Sequence, residues 1–331
     1  MLRNLAWLVA LAVTLSCGHP SRTKKVDTSA AVTAPSLSAA TAHKRAEIEP
    51  TALLTLPIGA FHVTLWSDEE AVYLLTNQGA YRFVPEQEPR YFALDLGEGP
   101  VMTRSSIIYW SNGSIWRAPK LGGEPQKIAS VPHRPQYFST SGDYFVWLDR
   151  TDDGQCTIRT VTGNNQRVAY KSSGEIEAMA MVHDWAFFVE RIDQSKWHIG
   201  GTRPGGGQAA YSAPKTGRSP AMLSAKDDIY YYDVDTTDFM KMPPDLCNEA
   251  VVRKNFVCSP NALVAARIYC VQVEGLFELP MKPPYKPRLL TPPGRSPTIT
   301  AMTADSTRVV FVIDAGADKL AVYSLPLTPL D

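Results

Sequence analysis

The chain is poor in histidine and cysteine and has no excess charge of either sign. Its 331 residues include six His and five Cys, and 33 basic side chains balance 33 acidic ones. Because the charges balance, the chain has no excess of basic residues of the kind that binds nucleic acid. The few His and Cys do not have the spacing of metal ligands. We therefore predict no nucleic-acid partner and no cofactor.

The first apolar run is too short to cross a membrane. It covers residues 5–15 and follows Arg3, whereas a spanning helix needs about 20 residues. Such a run after a basic residue is typical of an export signal, so we assign residues 1–16 to a signal peptide. Cleavage falls either before Cys17 or earlier, for instance after Ala12, where the sequence has the small-x-small form.

The end of this signal resembles the lipobox of bacterial lipoproteins. Ser16 precedes Cys17, although Thr14 stands where that family usually has Leu. The resemblance implies that Cys17 is lipidated and is the only membrane anchor. Gly18 in place of Asp favours the outer membrane, on its periplasmic side or at the cell surface. Residues 17–50, rich in Ser, Thr, Ala and Pro, are predicted to form a disordered tether.

A repeated β pattern fills residues 51–331. One copy, IIYWSNGSIW from Ile107, places Asn112 and Gly113 between two apolar runs, which is the strongest short signal for a hairpin. Seven such apolar centres are spaced 36 to 43 residues apart: Val72, Ile108, Phe145, Phe187, Tyr230, Tyr269 and Val310. A period near 40 without helical patterns predicts a seven-bladed β-propeller of four-stranded antiparallel blades.

The two ends of this region are predicted to share the last blade. The last unit stops after its third strand at 320–325, whereas ALLTLP at 52–57 resembles RLLTP at 288–292 of the preceding unit. A ring of blades must close to avoid an unfinished edge. We therefore predict that residues 52–56 form the outer strand of the seventh blade, and that 51–331 is one domain.

One hairpin resembles a known family. YWSNG from Tyr109 and RAPKLGG from Arg117 are similar to a blade of the YWTD and TolB-like propellers and of the propeller lipoproteins of bacterial envelopes, with Asn112 in place of the usual Asp. The resemblance implies the architecture, although many relatives have six blades. Because such propellers serve binding, scaffolding and catalysis, the resemblance implies no single function.

Motifs for catalysis and for metal binding are incomplete. Ser219 in GRSPA comes close to a nucleophile elbow, but GRSP recurs at 294–297 between strands, so we predict a loop residue. DRTDDG at 149–154 resembles the start of a calcium loop without its later ligands, so we predict a β-turn.

Disulfides are permitted in an exported chain. Four cysteines of the body allow three full pairings, among which the sequence does not choose. They are Cys156, Cys247, Cys258 and Cys270. The last three lie in adjoining units, so we favour a single bridge among them over one that reaches Cys156.

A propeller gathers on one face its connections between blades and the loops from the second to the third strand of each blade. We call this the loop face. The residues that we predict to bind a partner there are Arg134, Arg218, Arg295, Asp153 and Asp235. Asp also suits turns for purely structural reasons.

Because loops on a rigid scaffold often carry recognition, we predict a noncatalytic binding or scaffold module for an envelope protein, glycan or cell-wall component. The alternative is a propeller enzyme of the lactonase or lyase type with a metal in its central channel.

Overall fold

The computed structural model describes fifteen parts of the chain: 51–57, 63–68, 70–94, 96, 98–162, 165–220, 222–224, 227–256, 261–264, 267–272, 275–280, 287–290, 299–305, 307–316 and 319–327. All regular structure in these parts is β, and no helix there is long and apolar enough to cross a membrane. The predictions for residues 1–50, including Cys17, and those for Cys258 and Arg295 lie outside the described residues.

Seven antiparallel sheets form the seven blades. Blade 1 contains β2 (Thr64–Ser67), β3 (Val72–Thr76), β4 (Gly79–Phe83) and β5 (Arg90–Ala93). Blade 2 contains β6 (Glu98–Met102), β7 (Ser106–Ser111), β8 (Ser114–Pro119) and β9 (Gln126–Ser130). Blade 3 contains β10 (Tyr137–Ser141), β11 (Tyr144–Arg150), β12 (Cys156–Thr162) and β13 (Asn165–Lys171). Blade 4 contains β14 (Glu175–Val182), β15 (Trp185–Arg191), β16 (Lys196–Thr202), β17 (Ala210–Tyr211) and β18 (Lys215–Thr216). Blade 5 contains β19 (Met222–Ser224), β20 (Ile229–Tyr232), β21 (Phe239–Met242) and β22 (Ala250–Arg253). Blade 6 contains β23 (Asn261–Val264), β24 (Arg267–Gln272), β25 (Gly275–Pro280) and β26 (Arg288–Leu289). Blade 7 contains β27 (Ile299–Ala304), β28 (Arg308–Gly316), β29 (Lys319–Pro326) and β1 (Thr51–Pro57).

Each apolar centre of the repeat lies in the second strand of its blade, so the seven-bladed propeller is confirmed. These strands are apolar on both faces because every blade is packed between two others. The described core accordingly divides into seven apolar clusters, one between each pair of neighbouring blades. Asn112 and Gly113, with φ of 51° and 70°, turn the β7–β8 hairpin as its sequence predicts.

The predicted ring closure is also confirmed. Strand β1 lies at the outer edge of blade 7 and pairs antiparallel with β29, from Thr51 opposite Ser324 to Pro57 opposite Lys319. Leu56 of β1 is 5% exposed and packs in the apolar cluster between blades 7 and 1. The first of the described strands thus completes the last blade.

Two details go beyond the sequence pattern. The outer strand of blade 4 is divided into β17 and β18, both paired with β16, and the gap includes Pro214, which has no N–H for a ladder bond.

Among the described cysteines, Cys156 and Cys270 are free and buried. Cys247 is in a disulfide whose other half lies outside the described residues. The prediction that Cys156 stays out of the bridge is confirmed.

Candidate functional site

The loop face brings together residues that are far apart in the sequence. Because neighbouring strands alternate in direction, the hairpins after second strands and the connections after fourth strands emerge on the same side. Asp153 and Asp235 lie in the β11–β12 and β20–β21 hairpins, and Arg134 and Arg218 lie in connections between blades. These four residues therefore occupy the predicted face, and Arg295 lies outside the described residues.

Arg218 and Asp235 form one unit. The Arg218 Nε–H donates to Asp235 Oδ1 at 2.8 Å, and the Arg218 backbone N–H donates to Oδ2 at 2.9 Å. The first of these bonds is the main cause of a lowered pKa at Asp235. Gly217 has φ of +104°, and a Cβ there would lie 2.1 Å from Asp235 Oδ2. The glycine of GRSP thus allows the close approach of this carboxylate.

Two further ion pairs stand at the start of β14, the innermost strand of blade 4. The Arg150 terminal nitrogen lies 2.5 Å from Glu175 Oε1, and this bond is the main cause of a lowered pKa at Glu175. Glu177 pairs with Arg191 and accepts a hydrogen bond from the Ser219 hydroxyl. Ser219 therefore lies in the connection between blades 4 and 5, in a loop as predicted, and its hydroxyl is bound to a carboxylate on the first strand of blade 4.

These ion pairs wall three adjoining cavities, which we call the polar groove. The first, of about 490 Å³, lies between blades 4 and 5 and is lined by residues 191, 193–197, 217–219 and 235. The second, of about 330 Å³, is lined by 136, 137, 175–177, 219 and 220, and the third, of about 560 Å³, by 150, 153–155 and 172–175. Ser219 joins the first to the second, and Glu175 joins the second to the third.

A buried carboxylate supports the inner wall of the groove. Glu190 is 2% exposed, and its Oε1 accepts the backbone N–H groups of Ser173 and Gly174 at 3.1 and 3.2 Å. A Cβ on Gly174 would lie 2.0 Å from the Arg191 carbonyl oxygen, so only glycine fits there. Glu190 thus holds the connection that leads directly into Glu175.

The other side of Glu190 faces an aromatic cluster. His198 Nε2 and the Tyr170 hydroxyl lie 2.8 and 2.9 Å from Glu190 Oε2, and the Tyr211 hydroxyl donates to that of Tyr170 at 2.9 Å. Burial, followed by the bond to Tyr211 and the charge of Glu190, raises the pKa of Tyr170 well above its ordinary value. His198, which lies in β16 of blade 4, belongs to this network.

The remaining predicted aspartate has a local role. Asp153 accepts hydrogen bonds from the Thr151 hydroxyl and from the Gln155 N–H, and the first of these is the main cause of its lowered pKa. The Gly154 N–H donates to the Thr151 carbonyl at 2.8 Å. The predicted β-turn is confirmed at 151–154, whereas residues 149 and 150 end β11, and Asp153 is an exposed turn residue at the edge of the polar groove.

Sequence reasoning missed Arg150, Glu175, Glu177 and Arg191. One signal for the two arginines was present: each is the last residue of the second strand of its blade, next to the turn residues that mark the repeat. Glu175 had no such signal, since its partner Arg150 is supplied by blade 3. Glu177 had none either, since it pairs with Arg191 of its own blade and with Ser219 of the connection to blade 5. The chemistry of the groove is paired charge with hydroxyl and amide groups, which suits recognition of a polar ligand.

Comparisons with known proteins support the fold. No protein-family model and no curated protein matches the chain. The chain is similar to the WD40 domain of Neurospora crassa Pan2 (10% identity, TM-score 0.60, 87% of this chain and 98% of that one). It is also similar to virginiamycin B lyase from Staphylococcus aureus (11%, 0.59, 84% and 100%). A structure described as TolB from Agrobacterium tumefaciens (13%, 0.44, 81% and 90%) is a weaker likeness, on which we base nothing.

Proposed function

We propose that this chain is a noncatalytic binding module that holds an envelope partner in the polar groove of its loop face. The observation that carries the proposal is the groove itself, which extends over blades 3 to 5 and is walled by ion-paired side chains. Loops on a rigid β scaffold often serve recognition, because they vary without disturbing the blade cores. The solved propellers support the scaffold and suggest no ligand.

We further propose that a lipid on Cys17 tethers the propeller to the outer membrane, within reach of an envelope protein, glycan or cell-wall component. This part depends on the resemblance of the N-terminal residues to a lipobox. The enzyme alternative is supported by no specific observation, since the described residues contain no group of three His, Cys, Asp or Glu side chains placed to share a metal ion. We therefore do not develop it.

Charge reversal at Arg218 tests the binding face, with Arg203 as the matched control. Both arginines are exposed and paired with aspartate, but Arg203 and its partner Asp184 lie on the opposite face of the propeller. Purified wild type, Arg218→Glu and Arg203→Glu are used to capture proteins and glycans from envelope extracts. We expect Arg218→Glu alone to lose the partner, with little change in melting temperature, because exposed ion pairs contribute little to stability.

The opposite pattern contradicts the proposal. If Arg203→Glu loses the partner and Arg218→Glu keeps it, binding belongs to the other face. A quantitative readout of each captured species against the wild-type level makes the two variants comparable.

A further inference from the structure

We infer that the polar groove binds a neutral oligosaccharide, with one sugar ring stacked on Tyr137. The inference deepens the proposed function and rests on it, because it selects a glycan from the classes of partner that the groove could hold. Three separate features of the groove support it: the balance of its charges, its exposed aromatic ring and its unengaged polar groups.

The charges of the groove nearly cancel. Its three cavities are lined by four basic and five acidic side chains, which leaves a net formal charge of −1. Three of the basic side chains pair with acids of the same groove: Arg150 with Glu175, Arg191 with Glu177 and Arg218 with Asp235. An anionic ligand therefore meets no excess of positive charge. A cationic ligand would have to compete with the arginines for the carboxylates, so the charges favour a neutral ligand.

Tyr137 gives the second cavity an aromatic wall. It is the first residue of β10, the innermost strand of blade 3, and it is 36% exposed. Its hydroxyl donates to the Glu177 carbonyl oxygen of blade 4 at 2.7 Å, so the ring is held between the two blades. The C–H bonds on one face of a sugar ring pack favourably on the negative face of an aromatic ring. A fixed and exposed tyrosine is therefore a platform for a sugar.

Unengaged hydrogen-bonding groups flank this ring. In the part of the chain that the structure describes, Glu175 binds Arg150 through Oε1, and its Oε2 has no hydrogen-bond partner. The exposed side-chain amide of Gln136, next to Tyr137 in the chain, has no partner there either. The carboxylate oxygen can accept a sugar hydroxyl, and the amide can both donate and accept. An aromatic ring with a few such polar groups matches a sugar, which has C–H bonds on its face and hydroxyls at its edge.

The groove has room for more than one sugar unit. Its adjoining cavities of about 490, 330 and 560 Å³ each contain one exposed glutamine. They are Gln194, Gln136 and Gln155, and none of their side-chain amides has a partner within the described residues. An oligosaccharide carries hydroxyls on every unit, whereas a peptide backbone has one N–H donor per residue. We therefore favour an oligosaccharide over a polar peptide.

A glycan array that is probed with the fluorescently labelled protein tests the inference. It carries neutral oligosaccharides together with acidic ones that contain uronic acids and basic ones that contain glucosamine. We expect the wild type to bind neutral oligosaccharides at least about tenfold more tightly than the charged ones, because the groove has no unpaired charge to attract them. Titration calorimetry with the best neutral oligosaccharide then gives the Kd of each variant.

Tyr137→Ala is the decisive variant, and Tyr144→Ala is its matched control. Tyr144 belongs to the same blade and is 56% exposed, but it begins β11 and so lies on the opposite face. We expect Tyr137→Ala to weaken binding about tenfold, and Tyr137→Phe, which keeps the ring, to stay within about threefold of the wild type. Gln136→Ala should weaken binding about fivefold, as loss of a neutral hydrogen bond implies. Tyr144→Ala should bind like the wild type.

Several results overturn the inference. If no neutral oligosaccharide binds, or if the acidic or basic ones bind more tightly, the ligand class is wrong. Equal affinity of the wild type and Tyr137→Ala, or an equal loss in Tyr144→Ala, excludes a sugar site at this ring. Stronger competition by a peptide of alternating Gly and Gln than by the unlabelled oligosaccharide assigns the groove to a polypeptide. Melting curves identify any variant that fails to fold, and Gln136→Ala, which keeps the backbone bond from residue 136 to Leu148, then serves as a second test.

The two proposals fail separately. If Arg218→Glu loses the envelope partner while no neutral oligosaccharide binds the wild type, the ligand class is wrong and the binding face stands. If an oligosaccharide binds through Tyr137 but Arg218→Glu captures the envelope partner normally and Arg203→Glu loses it, the sugar site stands and the proposed function is wrong.

Discussion

At the scale of single residues, Glu190 links the stability of the protein to the geometry of the groove. Burial alone would raise its pKa, but hydrogen bonds from His198, Ser172 and Tyr170 outweigh burial and lower it from 4.5 to about 2. The same carboxylate orders the connection that leads into Glu175. Loss of its charge should therefore affect both the fold and the groove.

The pH dependence of Glu190 follows from the sign of this shift. A carboxyl group with a lowered folded pKa stabilises the protein above its unfolded pKa, and this stabilisation is lost as the pH falls from 4.5 to about 2. The shift corresponds to about 3 kcal/mol. We expect Glu190→Gln to be less stable than the wild type at neutral pH, and the difference to narrow as the pH falls through this window.

Urea unfolding at a series of pH values measures this effect. Asp152→Asn, which changes an exposed carboxylate in a turn, is the matched control and should follow the wild type closely. An unchanged difference between wild type and Glu190→Gln over the whole window would show that Glu190 does not carry this linkage.

At the scale of secondary-structure elements, β1 is the strand on which ring closure depends. It supplies the outer edge of blade 7 and contributes Leu56 to the core shared with blade 1. Its neighbour in the ladder, β29, would otherwise present an unpaired edge. A short N-terminal strand thus connects the two ends of the propeller.

Removal of residues 51–56 should lower the melting temperature markedly, because it exposes β29 and the core around Leu56. The point variant Leu56→Ala should cost about 2–5 kcal/mol, as for other buried leucines. Thr55→Ala, at an exposed position of the same strand, should change stability by no more than about 0.5 kcal/mol. A truncated protein that melts like the intact one would argue against closure by β1.

At the scale of the whole molecule, the fold and the proposed anchor depend on different residues. The fold depends on the seven apolar clusters of the propeller, and the anchor depends on the N-terminal residues. Each described cluster joins two adjacent blades, so the propeller is stabilised as a ring. The anchor at Cys17 lies outside the described residues and depends on the signal-like residues before it. We therefore expect that removal of the proposed anchor changes the location of the protein and leaves the propeller fold intact.

We predict that labelled palmitate enters the wild type and not Cys17→Ser, and that the wild type alone fractionates with membranes. One or two acyl chains provide the membrane affinity that the propeller itself is not proposed to have. Cys156→Ser is a control for labelling at a body cysteine. Equal labelling of wild type and Cys17→Ser, or a mature N-terminus at another residue, would disprove lipidation at this position.

The sequence by itself determined the number of blades, their second strands and the ring closure. These features are encoded locally, since an apolar run with turn residues at its end, such as Ile107 to Gly113, specifies a hairpin wherever it occurs. The repeat spacing then places every such hairpin in the same part of its blade. The same repeat spacing placed Arg218 and Asp235 on the loop face, because the direction of the strands alternates regularly within each blade.

Only the tertiary structure decided which side chains of that face meet. Arg150 and Glu175 are 25 residues apart, and Glu177 and Ser219 are 42 apart, close to one repeat. The first pair joins blades 3 and 4, the second joins blade 4 to the connection that leads into blade 5, and no local pattern specifies either. Contacts of this kind depend on the curvature of the ring and on side-chain rotamers. The polar groove is therefore a property of packed blades, and the buried Glu190 that supports it could be recognised only once its partners from two blades surrounded it.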